Sequence, residues 1–250
     1  MTRYHIAAII AAPLAALALG FGHVVMFGVV VLALLIVIGL GAAIPQMSFF
    51  GPFVCRGASS KHCVALTFDD GPDARSTPAL LELLRDSGVA AAFFCVGHRV
   101  VVHPELAARI VREGHLLENH SYAHSKLTNI FSVACLRADL ARTQAVIEQA
   151  TGIAPRWFRP PIGLSNPRVF HVARLLELTV VGWSAGGLDT KLTEPEQIVA
   201  RIARRVEPGA IILLHDGNIP AERLVATVRM LLDKLRALKY EVVRLDLMLT

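Results

Sequence analysis

The chain has 250 residues, of which 54% are hydrophobic, and a formal net charge of +5 at pH 7. This length suits one main domain with an appendage, and a mean hydropathy of +0.53 is too apolar for an ordinary soluble domain. The positive charge is small and dispersed, without a patch of interleaved aromatic and basic residues, so no nucleic acid partner is expected. Such a charge would suit an anionic membrane surface or a phosphate-bearing substrate.

The apolar excess lies at the N-terminus. Residues 6–44 contain no Asp, Glu, Lys or Arg, and this run is almost twice the ~20 residues that one membrane span needs. A turn at Gly20-Phe21-Gly22-His23 predicts a membrane anchor over residues 1–50, with two transmembrane helices at about 6–20 and 24–44. A single span, or a signal peptide cleaved after Ala16-Leu17-Ala18, is the alternative. Residues 51–62 would then form a linker before a domain at 63–250.

The charges near the anchor bear on its orientation. Arg3, Arg56 and Lys61 are the charged residues that precede the domain, and none of the residues there is acidic. The positive-inside rule favours the cytoplasmic side for such residues. Because a two-helix hairpin returns the chain to the side where it began, this pattern favours a cytoplasmic domain.

Strands and helices alternate after the linker. Seven strands are predicted, at residues 63–68, 91–96, 115–118, 156–158, 179–183, 210–214 and 240–245. Capping residues and helix-opening prolines predict helices at 77–84, 104–112, 133–150, 167–177, 195–206 and 220–238. This alternation predicts parallel strands joined by right-handed crossovers in an α/β barrel, with a flat doubly wound sheet as the alternative.

Two adjacent carboxylates end the first predicted strand. Asp69 and Asp70 follow an apolar run and precede a Gly-Pro turn. In an alternating strand they would face opposite ways, and at close range each would raise the pKa of the other. A divalent cation is the usual agent that offsets such repulsion, whereas a surface Asp-Gly turn is the alternative.

A pair of histidines follows the third predicted strand. His120 and His124 lie on one face if their segment is helical, and they can also converge in a tight loop. Imidazole suits zinc, and catalytic zinc sites combine three protein ligands with water. One aspartate with these histidines would complete such a site, and a solvated pair is the alternative.

Two further polar motifs, at residues 158–163 and 213–217, also close apolar runs. All four motifs therefore fall at the carboxyl ends of predicted strands, which is where barrel active sites are built. In sequence order they read TFDDGP, HSxxH, RPPxG and LLHDG, and together they resemble the polysaccharide deacetylase family, the NodB-like carbohydrate esterases of family 4. The resemblance covers residues 63–245.

The resemblance implies a distorted (β/α)7 barrel, and the apolar N-terminal run predicts that it belongs to a bacterial plasma-membrane protein. It implies a hydrolase that removes an N-acetyl or other small N-acyl group from an amino sugar. The implied cofactor is a divalent metal, Zn²⁺ first, with Co²⁺ or Ni²⁺ as alternatives. By position, the implied metal ligands are Asp70, His120 and His124, the base is Asp69, its partner is Arg159, and the general acid is His215.

Substrate contacts are expected from Pro161, Ile162, Trp183 and Leu213. The amide of Ile162 is the expected oxyanion donor, because the two prolines before it have no N–H. Leu213 lies two residues before His215 and therefore on the same face of the strand. It is expected to form the floor of a methyl-sized acyl pocket.

The chain departs from the family pattern in two places. Ile162 replaces a common tyrosine, so a hydroxyl contact is lost. Gly186 and Thr190 stand where the fourth motif has its first aspartate and its tryptophan. Because that aspartate tunes the catalytic histidine, Asp189 is expected to take over its task, with capping of the following loop as the alternative. The missing tryptophan platform disfavours bulk chitin as the substrate.

These residues predict a membrane-anchored N-deacylase that acts on a lipid-linked or cell-envelope amino sugar. The alternative is a non-catalytic metal- or glycan-binding module that keeps the fold. Retention of Asp69, Arg159 and His215 favours the enzyme, since a pure binding protein needs neither a base nor an acid.

Overall fold

The computed structural model describes residues 1–57 and 62–249. Part of the expected linker, including Lys61, and the last residue, Thr250, lie outside the described residues.

Two apolar helices open the chain. Helix α1 is Arg3–Gly20 and helix α2 is Val24–Ala43, and the chain turns between them where Gly22 has a φ of +73°. By length and composition both helices could cross a membrane. Most of their side chains are exposed, with Ala18 and Gly41 as the buried residues. The two helices and their turn lie where the sequence predicts them.

The described residues contain eight parallel strands. They are β1 (Cys63–Asp69), β2 (Ala92–Cys95), β3 (Leu116–Asn119), β4 (Trp157–Phe158), β5 (Thr179–Val180), β6 (Ala185–Gly186), β7 (Ala210–His215) and β8 (Glu241–Val242). The sheet order is β5-β4-β3-β2-β1-β7-β6, and β8 pairs with the first residues of β1. The strands are parallel, as the alternating pattern predicts, and they form a curled half-barrel.

The connecting helices are α3 (Thr77–Asp86), α4 (Gly97–Val102), α5 (Pro104–Arg112), α6 (Val133–Thr151), α7 (Pro167–Leu175), α8 (Pro195–Ala203), α9 (Ala221–Ala237) and α10 (Leu245–Leu249). Two predicted caps are confirmed, because the Ser132 hydroxyl accepts from the Cys135 amide and the Asn166 side chain accepts from two amides of α7. Gly152 ends α6 with a φ of +74°.

Several local predictions differ from the structure; the fifth strand, for example, ends at Val180 and not at residue 183. The count of seven strands misses β6, which is two residues long and lies in a glycine-rich segment. The last strand was expected to reach residue 245, but it ends at Val242 and α10 begins at Leu245. Helix α4 was not expected, because it opens with Gly97 and carries three valines, all weak helix formers.

Strand β1 is buried along its whole length, and its two faces differ. Val64, Leu66 and Phe68 pack in the cluster that the surrounding helices cover. Thr67 and Asp69 alternate with them and therefore face the interior of the half-barrel. This buried strand thus delivers polar side chains to the carboxyl end of the sheet.

Candidate active site

Asp69 and Asp70 converge on one histidine at the end of β1. Asp70 has a φ of +74°, a left-handed conformation that breaks the strand alternation. Oδ2 of Asp69 lies 3.8 Å and Oδ1 of Asp70 lies 3.5 Å from Nε2 of His120. The expectation that the carboxylates face opposite ways is wrong, because the backbone turns at Asp70.

The two histidines meet through a tight loop rather than on a helix. Ser121 and His124 both have positive φ, 65° and 48°, and side-chain oxygens of Asn119 and Ser121 accept from the Ser121 and His124 amides. Nε2 of His124 thereby lies 3.2 Å from Oδ1 of Asp70. One ligand atom from each of Asp70, His120 and His124 lies within 4.8 Å of the others.

The chemistry of this cluster fits a divalent cation. Nδ1 of His120 lies 2.7 Å from the Arg159 carbonyl oxygen, so Nδ1 carries the proton and Nε2 presents a bare lone pair. Burial, together with the nearby His120, lowers the pKa of His124, which favours its neutral ring. Oδ1 of Asp70 is buried and has no hydrogen-bond donor. The lone pairs of Asp70, His120 and His124 therefore face one another, and a cation between these three residues would stabilise the arrangement.

Arg159 is a fully buried cation that holds Asp69 in place. Its Nη1 donates to Oδ1 of Asp69 at 2.6 Å and to Oγ1 of Thr67 at 2.8 Å, and its Nη2 donates to the Gly182 carbonyl at 2.9 Å. The guanidinium also lies 4.1 Å from the centre of the Phe94 ring. This paired and oriented carboxylate stands beside the Asp-His-His cluster, as the sequence predicts.

His215 lies at the end of β7 and is held by Asp189. One carboxylate oxygen of Asp189 lies 2.9 Å from Nδ1 of His215, and the other accepts from its backbone amide at 2.7 Å. Burial alone lowers the pKa of His215, but the contact with Asp189 and the nearby Asp69 and Asp70 raise it overall, to about 9. The contact with Asp189 therefore favours the imidazolium form of His215.

The turn at Pro161–Gly163 presents an unpaired amide. Ile162 has a φ of +61° and is 55% exposed, an unusual conformation for a β-branched residue. Its N–H has no acceptor among the described residues. Backbone strain of this kind is found at functional sites, where the surroundings enforce it.

A cavity of about 400 Å³ connects these groups. Its lining residues are Asp69, Asp70, His120, His124, Ile162, Gly163, Trp183, Gly186, Leu188, Asp189, Thr190, Lys191, Leu213 and His215. Of the predicted site residues, Arg159 and Pro161 do not line it: both are buried, Arg159 behind Asp69 and Pro161 within its turn.

Sequence reasoning missed several residues of this site. Thr67 donates its hydroxyl to the Ile212 carbonyl at 2.7 Å and accepts from Arg159, a position that its alternation with Asp69 indicates. Leu188 and Lys191 line the cavity without any motif to mark them. At Gly186 a β-carbon would lie 3.2 Å from Nε1 of Trp183, so the indole occupies space beside the position of the missing aspartate.

Comparison with known proteins agrees with these motifs. The polysaccharide deacetylase family model matches residues 56–181. A chitooligosaccharide deacetylase of Bradyrhizobium sp. is 34% identical over 183 residues, which are 73% of this chain and 84% of that protein. A peptidoglycan-N-acetylglucosamine deacetylase of Bacillus cereus is 33% identical over 67% of this chain, and the match spans only 58% of that protein.

Solved structures share the fold. The Bc1960 peptidoglycan N-acetylglucosamine deacetylase superposes with a TM-score of 0.74 at 29% identity, over 78% of this chain and 92% of that one. A family 4 carbohydrate esterase pseudoenzyme from Bacillus anthracis also gives 0.74, at 30% identity, over 80% and 69% of the two chains.

Fold and site together define an α/β half-barrel protein with two carboxylates and two histidines at the carboxyl ends of its strands. The chain belongs to the polysaccharide deacetylase family.

Proposed function

We propose that this protein is a membrane-anchored, metal-dependent N-deacylase. It hydrolyses an N-acetyl or other small N-acyl group on an amino sugar of a lipid-linked or cell-envelope glycan. The observation that supports this best is the pairing of Asp69 with Arg159 and of Asp189 with His215 around one cavity. A site that only bound a metal would need neither pair.

Asp70, His120 and His124 would hold the metal. One carboxylate and two imidazoles suit Zn²⁺, with Co²⁺ or Ni²⁺ as alternatives. A bound divalent cation would polarise the acyl carbonyl and lower the pKa of the attacking water. Nδ1 of His120, which donates to the Arg159 carbonyl at 2.7 Å, keeps the ring in the orientation that ligation needs.

Asp69 is the general base. Its Oδ1 is occupied by Arg159, while Oδ2 points towards the cluster, 3.8 Å from Nε2 of His120. Because Arg159 also donates to Thr67 and to the Gly182 carbonyl, the guanidinium is itself fixed and holds the carboxylate in one orientation. Oδ2 takes the proton of water as the water oxygen attacks the acyl carbon.

His215 and Ile162, which both line the cavity, complete the reaction. The Ile162 N–H donates to the oxygen that becomes negative when water adds to the carbonyl. Nε2 of His215 is the ring nitrogen that Asp189 leaves free, and it gives its proton to the amine nitrogen as the C–N bond breaks. The products are a carboxylic acid and a free amino sugar.

The two apolar helices support a substrate at the membrane. In this proposal residues 1–50 are the anchor, 51–62 the linker and 63–250 the catalytic domain of a bacterial plasma-membrane protein. Arg3 and Arg56 favour a cytoplasmic domain, as the positive-inside rule predicts. Cleavage of the domain by an added protease in sealed vesicles of each orientation would test this sidedness.

One observation favours a second candidate, a non-catalytic module. The chain is similar to a pseudoenzyme of the family, and Gly186 replaces an aspartate of the fourth motif. The carboxylate of Asp189 lies 2.9 Å from Nδ1 of His215 and can take the role of the missing aspartate. This contact favours the enzyme.

A turnover assay separates the two candidates. The full-length protein in detergent is stripped of metal, reloaded with Zn²⁺, Co²⁺ or Ni²⁺, and supplied with an N-acetylated amino-sugar substrate. We expect release of acetate that requires the metal and is lost in His215→Ala. Metal binding without acetate release from any amino sugar, lipid-linked or soluble, would identify the binding module instead.

A further inference from the structure

The chain that leaves the second apolar helix contacts both loops of the active site. We call residues 42–47 the exit segment: the end of α2 and the 3-10 turn Pro45–Met47. The amide of Ser165, just after the turn at Pro161–Gly163, donates to the Ala42 carbonyl at 3.1 Å. The Gln46 side chain donates to the Trp183 carbonyl at 2.6 Å.

Pro45 is the buried residue of this segment, and it sits between two glycines. A β-carbon at Gly182 would lie 3.1 Å from Cβ of Pro45, and one at Gly163 would lie 3.5 Å from its Cγ. At Gly182 the absence of a side chain therefore leaves room for the proline ring, and also for Sγ of Cys55, which would lie 2.7 Å from such a β-carbon. At Gly163 the proline is in ordinary van der Waals contact, and the space beside the glycine is taken by the Trp183 ring. Gly163 belongs to the turn that presents the Ile162 amide, and Gly182 precedes Trp183.

A short series of contacts leads from Pro45 to the base. The Gly182 carbonyl accepts from Nη2 of Arg159 at 2.9 Å, and Nη1 of the same guanidinium donates to Asp69 at 2.6 Å. Displacing Gly182 would therefore move the group that orients Asp69.

We propose that Pro45 is a positioning residue of the active site, and that the exit segment supports both the oxyanion turn and the Arg159–Asp69 pair. The membrane hairpin is then a structural part of the catalytic site as well as a tether. This inference rests on the proposed deacylase function for its kinetic consequence. Proline suits the task because its ring fixes φ and leaves few ways to relax.

The expected effect is on turnover. A shift of about 1 Å in a reacting group can cost ~10²-fold in rate, so Pro45→Gly should lower kcat by about 10-fold or more. KM should change less than kcat, because Leu213, on β7, still lines the cavity. Metal content should stay at the wild-type value, since the exit segment does not touch the metal ligands.

The test uses full-length protein in detergent or nanodiscs. Pro45→Gly and Pro45→Ala are compared with Pro52→Ala, a matched change at an exposed proline of the same N-terminal region. The readouts are kcat, KM, zinc content and the emission of Trp183, which is isolated by placing Trp157→Phe in every variant. We expect lower kcat and a shifted emission in the Pro45 variants, and wild-type values in Pro52→Ala.

Wild-type kcat and emission in folded Pro45 variants would overturn the inference, and so would a parallel loss of zinc and turnover. If the Pro45 variants do not fold, Gln46→Leu provides the test instead. Gln46 is exposed, so its replacement creates no cavity in the hydrophobic core. That variant should shift the Trp183 emission and lower kcat, and wild-type behaviour would reject the inference. Should the wild-type chain release no acetate, the proposed function fails, while the emission readout still tests the contact.

Discussion

Asp69 on β1 and His215 on β7 are register partners in neighbouring parallel strands. Neighbouring strands lie about 4.8 Å apart, and paired residues point to the same face. The proposed base and acid are therefore set side by side by backbone hydrogen bonds, and their spacing does not depend on a flexible loop. A charged partner orients each of them: Arg159 contacts Asp69, and Asp189 contacts His215.

Removing either histidine of the cluster should remove the metal. His120→Ala or His124→Ala leaves two protein ligands where catalytic zinc sites use three, so we expect loss of both bound zinc and turnover. Metal analysis of the purified protein measures this, with His171→Ala, an exposed histidine of α7, as the control. Normal zinc content in His120→Ala would remove the histidine from the ligand set.

Asp69→Asn should keep the metal and lose the reaction. The amide still accepts from Arg159 but cannot take a proton from water, and general-base losses are typically about 10²- to 10⁴-fold. The measurement is kcat at saturating substrate beside zinc content. Asp86→Asn, at an exposed aspartate, provides the matched control. A kcat close to wild type would place the base on another residue.

Asp189→Asn should shift the alkaline limb of the rate profile to lower pH. Asp189 is the main contact that raises the pKa of His215, so the variant loses its protonated acid at a lower pH. A cation at Asp70 would offset part of the carboxylate field, so the wild-type limb should lie at or below about 9. The pH dependence of kcat measures this at full metal occupancy.

Asp233→Asn, at an exposed ion pair of α9, should leave the limb unchanged. If Asp189 served only to cap its loop, its variant would lose stability and keep the wild-type profile. An unmoved limb in Asp189→Asn would therefore reject the pairing as the source of the acid.

Arg159→Met should destabilise the protein far more than a surface arginine does. It leaves Asp69 buried without its partner, a change that costs about 3–5 kcal/mol in buried ion pairs. Arg236→Met breaks a pair with Asp233 in which the two side chains are 70% and 68% exposed, and exposed pairs contribute about 0–1 kcal/mol. Urea unfolding in detergent, followed by circular dichroism, measures the free energy of unfolding of both variants. An equal decrease in the two variants would contradict the buried pairing.

Leu213→Ala should widen the acyl pocket. Leu213 lines the cavity on the same strand face as His215, and one methylene in such a pocket is worth ~10- to 200-fold in specificity. We expect kcat/KM for an N-propionyl sugar to rise relative to the N-acetyl sugar. Leu214→Ala, which faces the helix-covered core, should lose stability without changing that ratio. An unchanged ratio in Leu213→Ala would place the acyl group elsewhere.

The sequence predicted the site well where spacing alone decides geometry. Motifs at the ends of parallel strands meet at one edge of the sheet, so Asp69, His120, Arg159 and His215 were expected together and lie together. The strand count failed at β6, because two residues in a glycine-rich stretch carry no periodic signal.

Other features depend on tertiary contacts that sequence patterns do not encode. The left-handed backbone at Asp70 decides where its carboxylate points, and nothing in the sequence near a strand end requires it. Glu118 was expected only as the end of a strand, yet its carboxylate accepts the amides of Arg156 and Trp157 at 2.8 and 2.9 Å. It thereby joins β3 to the start of β4 where few backbone pairs form.

The hydrogen bond between Ser165 and Ala42 has a consequence for which sugar the enzyme can reach. Helix α2 has 20 residues, which at 1.5 Å per residue is about 30 Å, the thickness of the hydrocarbon layer. If α2 spans that layer, as we propose, the end of the helix and the turn at Pro161–Gly163 beside it would lie at the lipid headgroups. The proposed anchor would then fix the height of the cavity above the bilayer, and we would expect hydrolysis only of acyl groups on sugars at that height.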